Sequence, residues 1–336
     1  MGEKISVIGS GSWGTAIASL LCKNGHDVTL WSYTKEQTDE LIKYRENKKY
    51  LPKTLLPLNM AFTSDLSEAA ENEIIFMVTP SSAVKETAEK MAPFVKEGTI
   101  IVNASKGLEE KTQKRLSEVI KETIPKARLA VMSGPSHAEE VALFLPTTNV
   151  VASEDIEISR RLQNILMNDT FRVYTGTDMV GVEIGGALKN VIALAAGISD
   201  GLGFGDNTKA ALMTRGMQEI SRLGIALGAE PETFFGLSGI GDLIVTCTSM
   251  HSRNRRAGIL IGKGYTPSEA VKEIEMVVEG FYTTKSAYIL AKRAGVDMPI
   301  VTEAYKILFE DKPAKDAVLN LMCRDKKHES EKNLLI

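Results

Sequence analysis

Cysteine, histidine and aromatic residues are scarce in this chain of 336 residues, which has three cysteines (Cys22, Cys247 and Cys323) and four histidines. Three scattered thiols with no C-x-x-C exclude a disulfide framework, and so few histidines leave no spacing that suits structural zinc. Free thiols fit a reducing compartment. An excess of one charge sign is also lacking. The 40 basic and 43 acidic side chains give a formal net charge of −3, with no general attraction to nucleic acid or an anionic membrane. Any anionic ligand must therefore be held by a local cationic cluster. No apolar run reaches membrane-spanning length, no signal-peptide pattern precedes the first strand, and no internal repeat or low-complexity segment is evident. The expectation is a cytoplasmic protein with no metal, no nucleic-acid partner and no membrane span. Its length suits two domains, each able to bury its own core.

What is present begins at Lys4. Ile5, Val7 and Ile8 make an apolar run of strand length, followed by Gly9, Gly11 and Gly14 in the pattern G-x-G-x-x-G. Helix-forming residues from Thr15 to Leu21 come next. The first glycine allows the tight turn, the second lets backbone approach a pyrophosphate, and the third lets helix lie close on strand. The N–H groups at the helix start then face the phosphates, where the helix dipole favours negative charge. The spacing alone is weak, but between a strand and a helix it has the context a dinucleotide site requires.

Asp27–Trp31 reads as the second strand. An NAD-specific fold places a carboxylate near its end to hold the ribose 2′-OH, and this sequence has Ser32-Tyr33-Thr34-Lys35 there. Nothing repels a 2′-phosphate, so NADP(H) and NAD(H) both stay open. Residues 44–57 read as a helix and then a proline-punctuated loop. Further strands are expected at 74–78, 99–102, 129–132, 149–152 and 171–174, with helices at 83–91 and 113–123 between them. This alternation predicts a doubly wound, Rossmann-like parallel sheet with helices on both faces, over residues 1–178. Four strands are followed by small or polar turns: Gly9-Ser10-Gly11, Thr79-Pro80-Ser81, Ala104-Ser105-Lys106-Gly107, and Ser133-Gly134-Pro135-Ser136-His137-Ala138. All would share the carboxyl edge, where such folds bind ligands. Lys106 can point its ammonium into that crevice. His137 is a general-base candidate by residue type, ranked below the lysines.

At residue 179 the composition changes to a helical domain running to 336. Residues 180–199 are apolar almost all round, as a helix buried on every side would be, yet Lys189 and Asn190 sit in its middle. Gly185, Gly186 and Ala193 leave room beside the ammonium. A buried lysine of this kind is half of a structural ion pair or a catalytic group, and we read it as catalytic because burial tunes lysine readily. A helix over 207–227 precedes residues 236–243, which read as a flexible loop presenting Asp242, with Thr246 beyond. Ser252-Arg253-Asn254-Arg255-Arg256 gathers three guanidinium groups, whose planar forks suit phosphate. Thr266-Pro267-Ser268-Glu269 is a capping box, and helices are expected at 283–294, 300–309 and Ala314–Met322, with a frayed end from Arg324. Glu279-Gly280 lies in a junction, where the carboxylate either reaches a ribose or faces solvent.

In order and spacing, Gly9-Ser-Gly-Ser-Trp-Gly14, Ser105-Lys106-Gly107, Ser133-Gly-Pro135, Gly185-Gly-Ala-Leu-Lys189-Asn190, Gly239-Ile-Gly-Asp242-Leu and Ser252-Arg-Asn-Arg-Arg256 resemble the soluble NAD(P)-dependent glycerol-3-phosphate dehydrogenases. The resemblance runs from Lys4 to Met322 and is strongest to the bacterial biosynthetic type, which makes sn-glycerol 3-phosphate for phospholipid synthesis. It implies that Lys189 is the general acid/base at the C2 oxygen of dihydroxyacetone phosphate, and that Lys106 touches substrate and cofactor. It implies that Asp242 and Thr246 position and polarise the substrate. Arg253 and Asn254 would hold its phosphate, aided by Ser252, Lys189 and the neighbouring Asn190, and Gly134 and Ser136 would line the pocket. Ser10, Ser12, Trp13, Tyr33, Tyr50, Ala138, Arg253, Val277 and Glu279 would join the glycines around the cofactor. His137 departs mildly from the small residues usual at that turn. The apolar helical domain suits a homodimer. Two rival readings remain: a related hydroxyacid or sugar-acid dehydrogenase, and a cofactor-binding redox sensor without catalysis.

Overall fold

The computed structural model describes residues 2–326, 328 and 329. The chain divides into two compact units. The first comprises the residues up to Lys106 together with Lys114–Met179. The second comprises Gly107–Gln113 and the residues from Val180 onward.

Ten strands occur among the described residues: β1 (Lys4–Ile8), β2 (Asp27–Trp31), β3 (Glu46–Asn47), β4 (Leu51–Leu55), β5 (Met60–Thr63), β6 (Ile74–Met77), β7 (Ile100–Asn103), β8 (Arg128–Ser133), β9 (Thr147–Ala152) and β10 (Phe171–Gly176). Eight of them form one sheet in the order β10-β9-β8-β7-β6-β1-β2-β5. Alternate residues of each strand point to opposite faces, so each strand feeds two cores. Ile5, Val7, Ile74 and Phe76 pack with Ile17, Leu20, Leu21 and Leu162. Ile8, Ile75 and Met77 pack with Val84, Ala88, Met91 and Ile120. Each of these side chains other than Ala88, fully buried, contributes about 1.5–3 kcal/mol relative to exposure. Both faces are therefore covered, as a doubly wound sheet requires. From β1 the chain runs outward to β2 and β5, then returns to β6 on the other side of β1. That reversal opens a crevice at the carboxyl ends of β1 and β6.

Three expectations for this unit need correction. Residues 44–57 are not a helix and loop. The helix is Lys35–Tyr44, capped by the Thr34 hydroxyl and ended by Arg45 in the left-handed region, and β3 and β4 then form a small antiparallel hairpin. The helix expected from 113 begins at Leu116, because Gln113 also has a positive φ of 59°. Finally, β9 runs antiparallel to β8. Only one five-residue helix, Ala138–Ala142, lies in the link between them, too little for the crossover that parallel pairing needs.

The second unit is helical. Its central element is the Met179–Gly201 helix, which is long and apolar enough by length and composition to cross a membrane, contrary to expectation, although 89% of its apolar 18-residue stretch is buried inside the protein. Ile184, Leu188 and Val191 join one core, and Leu194 and Ile198 join another. Gly197 and Gly201 face Gly258 and Gly262 of the Arg253–Gly262 helix. A Cβ on Gly197 would meet the Arg255 carbonyl at 2.0 Å, and one on Gly258 the Leu194 carbonyl at 2.1 Å. Two four-residue glycine steps thus let these helix backbones touch. The predicted capping box is present, with Thr266 N–H on Glu269 and Glu269 N–H on Thr266 Oγ1. The frayed end expected from Arg324 falls partly outside the described residues.

Candidate active site

The glycine turn follows β1. Gly9 has φ +118° and a Cβ there would meet the Val78 carbonyl at 2.8 Å, while one on Gly14 would lie 1.9 Å from the Gly9 carbonyl. A Cβ on Gly11 would meet nothing within 4 Å among the described residues, so the backbone there is open to an incoming group. Gly11 is also the N-cap of the Ser12–Lys23 helix, and among the described residues no side chain caps that end. Exposed helix-start N–H groups are an anion site. Among the described residues, the buried Trp13 Nε1–H, on the second residue of that helix, finds no hydrogen-bond partner. These features fit a dinucleotide pyrophosphate.

Backbone bonds tie the neighbouring strand ends to this turn. Gly9 N–H donates to Trp31, Val78 N–H to Ile8, and Ala104 N–H to Met77. The Ser105 hydroxyl donates to the Thr79 carbonyl at 2.6 Å, and Lys106 Nζ to the Gly134 carbonyl at 3.3 Å. Ser136 Oγ donates to the same carbonyl at 3.0 Å and accepts from Asn149 Nδ2. Lys106, Gly134 and Ser136 are thus brought together at one edge. Ala138 is buried at the start of its short helix, just after His137. Tyr50 lies in the hairpin turn between β3 and β4. Tyr33 stands apart, 70% exposed beyond β2 and edge-on to Trp31.

In the helical unit, Lys189, Asp242 and Thr246 form a buried polar triplet, each under 10% exposed. Lys189 Nζ donates to Asp242 Oδ1 and, at 2.7 Å, to Thr246 Oγ1, whose own proton goes to the Asp242 carbonyl at 2.6 Å. Taking an isolated ammonium out of water costs several kcal/mol, and the carboxylate offsets that. Residues 236–243 are not a flexible loop. Leu237–Gly241 is a π-helical turn, kinked at Gly239, that runs into the Asp242–Thr248 helix and fixes Asp242 one turn from Thr246. Nor is there open space at Gly185, because a Cβ there would meet the Ser238 carbonyl at 2.6 Å. The missing side chain lets the π turn close on the helix and carries Asp242 to Lys189. Burial pushes the neighbouring Cys247 thiol up to about 12, against the pull of Lys189 and Arg255, so it stays protonated.

Asn190 continues this site. Its Oδ1 accepts from Asn254 Nδ2 at 2.9 Å, and Asn254 Oδ1 accepts the Gly280 N–H at 2.8 Å. Arg253 Nη1 donates to the Val277 carbonyl at 3.0 Å. Asn254 thereby ties Asn190 to Gly280, next to Glu279 in sequence, and Arg253 is held on Val277. Glu279 opens the Glu279–Ala294 helix instead of lying between helices. Ser252 Oγ accepts the Arg255 N–H as the helix cap. Arg255 leaves the expected phosphate cluster, because Asp200 holds its guanidinium at 2.7 Å and also holds Lys209 at 2.8 Å.

The sequence reading misses Asp200, although the glycine pairs that bring its helix against the Arg253–Gly262 helix stand in the sequence at a regular spacing. It also misses Asn47, which is buried against the glycine turn, and nothing local marks that residue.

Comparison with known proteins agrees with this arrangement. Residues 4–159 match the N-terminal domain of NAD-dependent glycerol-3-phosphate dehydrogenase, and residues 178–319 match its C-terminal domain. The chain is 56% identical over 329 residues to a glycerol-3-phosphate dehydrogenase (NAD(P)+) of Fusobacterium nucleatum, covering 97% of this chain and 98% of that protein. It is 57% identical over 327 residues to the enzyme of the same name from a Thermoanaerobacter species, with the same coverage. The crystal structure of glycerol-3-phosphate dehydrogenase from Coxiella burnetii superposes with a TM-score of 0.93 at 40% identity, covering 96% of this chain and 99% of that one. With its glycine turn, its buried lysine and both family domains in place, the chain belongs to the NAD-dependent glycerol-3-phosphate dehydrogenases.

Proposed function

We propose that this chain catalyses reversible hydride transfer between NAD(P)H and C2 of dihydroxyacetone phosphate, giving sn-glycerol 3-phosphate. The observation that carries the reading is the buried Lys189–Asp242–Thr246 triplet, joined through Asn190 to Asn254 in an otherwise apolar unit. Gly9, Ser10, Gly11, Ser12, Trp13 and Gly14 would hold the cofactor pyrophosphate. Tyr33, Tyr50, Lys106, Ala138, Arg253, Val277 and Glu279 would complete its site. No carboxylate ends β2, where Ser32 and Tyr33 follow, so a 2′-phosphate is tolerated and both cofactors are accepted. When bound, the nicotinamide supplies the hydride for C2 and takes it back in the reverse reaction.

Everything else is the work of the chain. Lys189, as an ammonium, stabilises the charge growing on the C2 oxygen and passes it a proton from Nζ. Asp242 and Thr246 hold that nitrogen in place. Arg253, Asn254, Asn190 and Ser252 bind the phosphate, and this remote binding energy orients the carbonyl. Lys106 contacts substrate and cofactor, and Gly134 and Ser136 line the pocket.

The same reading makes the product a precursor for glycerophospholipids in the cytoplasm. It also makes the enzyme a homodimer, supported by apolar side chains left exposed on the helical unit, such as Phe235 and Met322. A spectrophotometric assay with dihydroxyacetone phosphate and NADPH, then NADH, tests the central reaction. Ketone-dependent consumption of reduced cofactor is expected, and none with either cofactor would overturn the reading.

A further inference from the structure

The turn that receives the pyrophosphate is itself held from a distance. Asn47, in β3, is 3% exposed, and its Nδ2 donates to the Ser10 carbonyl at 2.8 Å and to Thr15 Oγ1 at 2.8 Å. Its Oδ1 accepts the Tyr50 N–H at 3.2 Å. Gln37 Nε2 donates to the same Ser10 carbonyl at 3.2 Å. A trans peptide is planar, with its C=O and N–H pointing opposite ways. Drawing the Ser10 carbonyl towards Asn47 therefore turns the Gly11 N–H the other way. That donor belongs to the residue whose missing side chain leaves open space. Asn47 also reaches Thr15, in the first turn of the helix whose N-terminus would face the phosphates. One carboxamide thus fixes both the turn and the start of the helix.

We infer that Asn47 is a positioning residue of the cofactor site, clamping the Ser10–Gly11 peptide so that the Gly11 N–H is presented to the pyrophosphate. The inference rests on the cofactor reading proposed above. It requires a carboxamide, because both the Ser10 carbonyl and the Tyr50 N–H must be satisfied by one side chain. Aspartate lacks the donor, and it would set a carboxylate against the carbonyl and close to the phosphates. The small hairpin is thereby a working part of the site, joining the Tyr50 backbone to the glycine turn through one buried residue.

The test is titration of the full chain with NADPH, followed by fluorescence, for the wild type, Asn47→Ala and Asn47→Asp. Melting temperature and the KM for dihydroxyacetone phosphate at saturating NADPH are measured on the same preparations. Losing hydrogen bonds that orient a charge-binding donor is expected to raise the Kd for NADPH about 10- to 100-fold. Asn47→Asp should be at least as weak as Asn47→Ala, and the KM for the ketone should stay within about twofold, since only cofactor binding depends on this clamp. A lower melting temperature with an unchanged Kd would reduce Asn47 to a structural residue and overturn the inference. Gln37→Ala removes the second donor to the same carbonyl from a partly buried position. If neither Asn47 variant folds, this variant decides: a Kd raised about threefold or more supports the clamp, and an unchanged one overturns it. Wild-type protein that binds neither NADPH nor NADH would sink the cofactor reading itself. Wild-type binding with unaltered variants would sink the clamp alone.

Discussion

The glycine turn and the Lys189 triplet solve the problem of holding a ligand in opposite ways. The turn works with backbone: its donors are N–H groups, and what matters at Gly9, Gly11 and Gly14 is the lack of a side chain. The triplet works with side chains drawn from helices more than fifty residues apart in sequence, and what matters is that each buried charge finds a partner. A backbone site is damaged by adding an atom, and a side-chain site by removing one. The first should fail in cofactor affinity and the second in turnover or substrate binding.

Among the effects on binding, the largest is expected from crowding the turn. Gly14→Ala puts a Cβ 1.9 Å from the Gly9 carbonyl, so helix and strand must separate. Overpacking of this kind costs about 1–3 kcal/mol, and NADPH affinity should fall by roughly 10- to 100-fold in a titration. Arg253→Ala removes a cation from the proposed phosphate site. A charge-assisted hydrogen bond is worth about 1.5–3 kcal/mol, so the KM for dihydroxyacetone phosphate should rise about tenfold or more in steady-state kinetics. An unmoved KM would take Arg253 out of the phosphate site.

The smallest effect lies away from both sites. Glu219 is buried in the Asp206–Ala226 helix, and its carboxylate accepts the Ile300 and Val301 N–H groups at the start of the Pro299–Phe309 helix. Burial pushes its carboxyl up to about 7, more strongly than those two N–H groups pull it down. A carboxyl raised in the folded state adds stability that is complete below its unfolded value of about 4.5 and lost as pH rises through about 7. Glu219→Gln should come close to the wild type in melting temperature at pH 4 and exceed it at pH 8. A variant that gains nothing at pH 8 would mean that the carboxylate is well accommodated when charged.

The same contrast explains what was legible in the sequence. The glycine turn is local, and its spacing between a strand and a helix names it. The strands β1, β2, β6, β7 and β8 are apolar runs that alternate between two cores, a pattern any reader of the chain meets. The β3–β4 hairpin carries no such pattern: most of β4 is exposed, and Arg45 and Lys53 take positive φ angles that no residue preference announces. Asn47 is invisible for the same reason, since its partners lie 32 and 37 residues away. In the helical unit the sequence marks Lys189 as a charge in an apolar run, but not where its counterion comes from. That depends on Gly185 admitting the Ser238 carbonyl, a packing fact with no sequence period. The antiparallel direction of β9 is not legible in the sequence, because strand direction follows from the length of the preceding link, which an apolar run does not show.

Turnover of Lys189→Ala, with saturating dihydroxyacetone phosphate and NADPH, in a preparation whose NADPH affinity matches the wild type, decides whether the enclosed amine does the chemistry. Loss of a positioned proton donor predicts a fall in kcat of about 10²- to 10⁴-fold. A kcat within about twofold of the wild type would leave Lys189 a structural ion-pair partner of Asp242 and place the proton donor elsewhere.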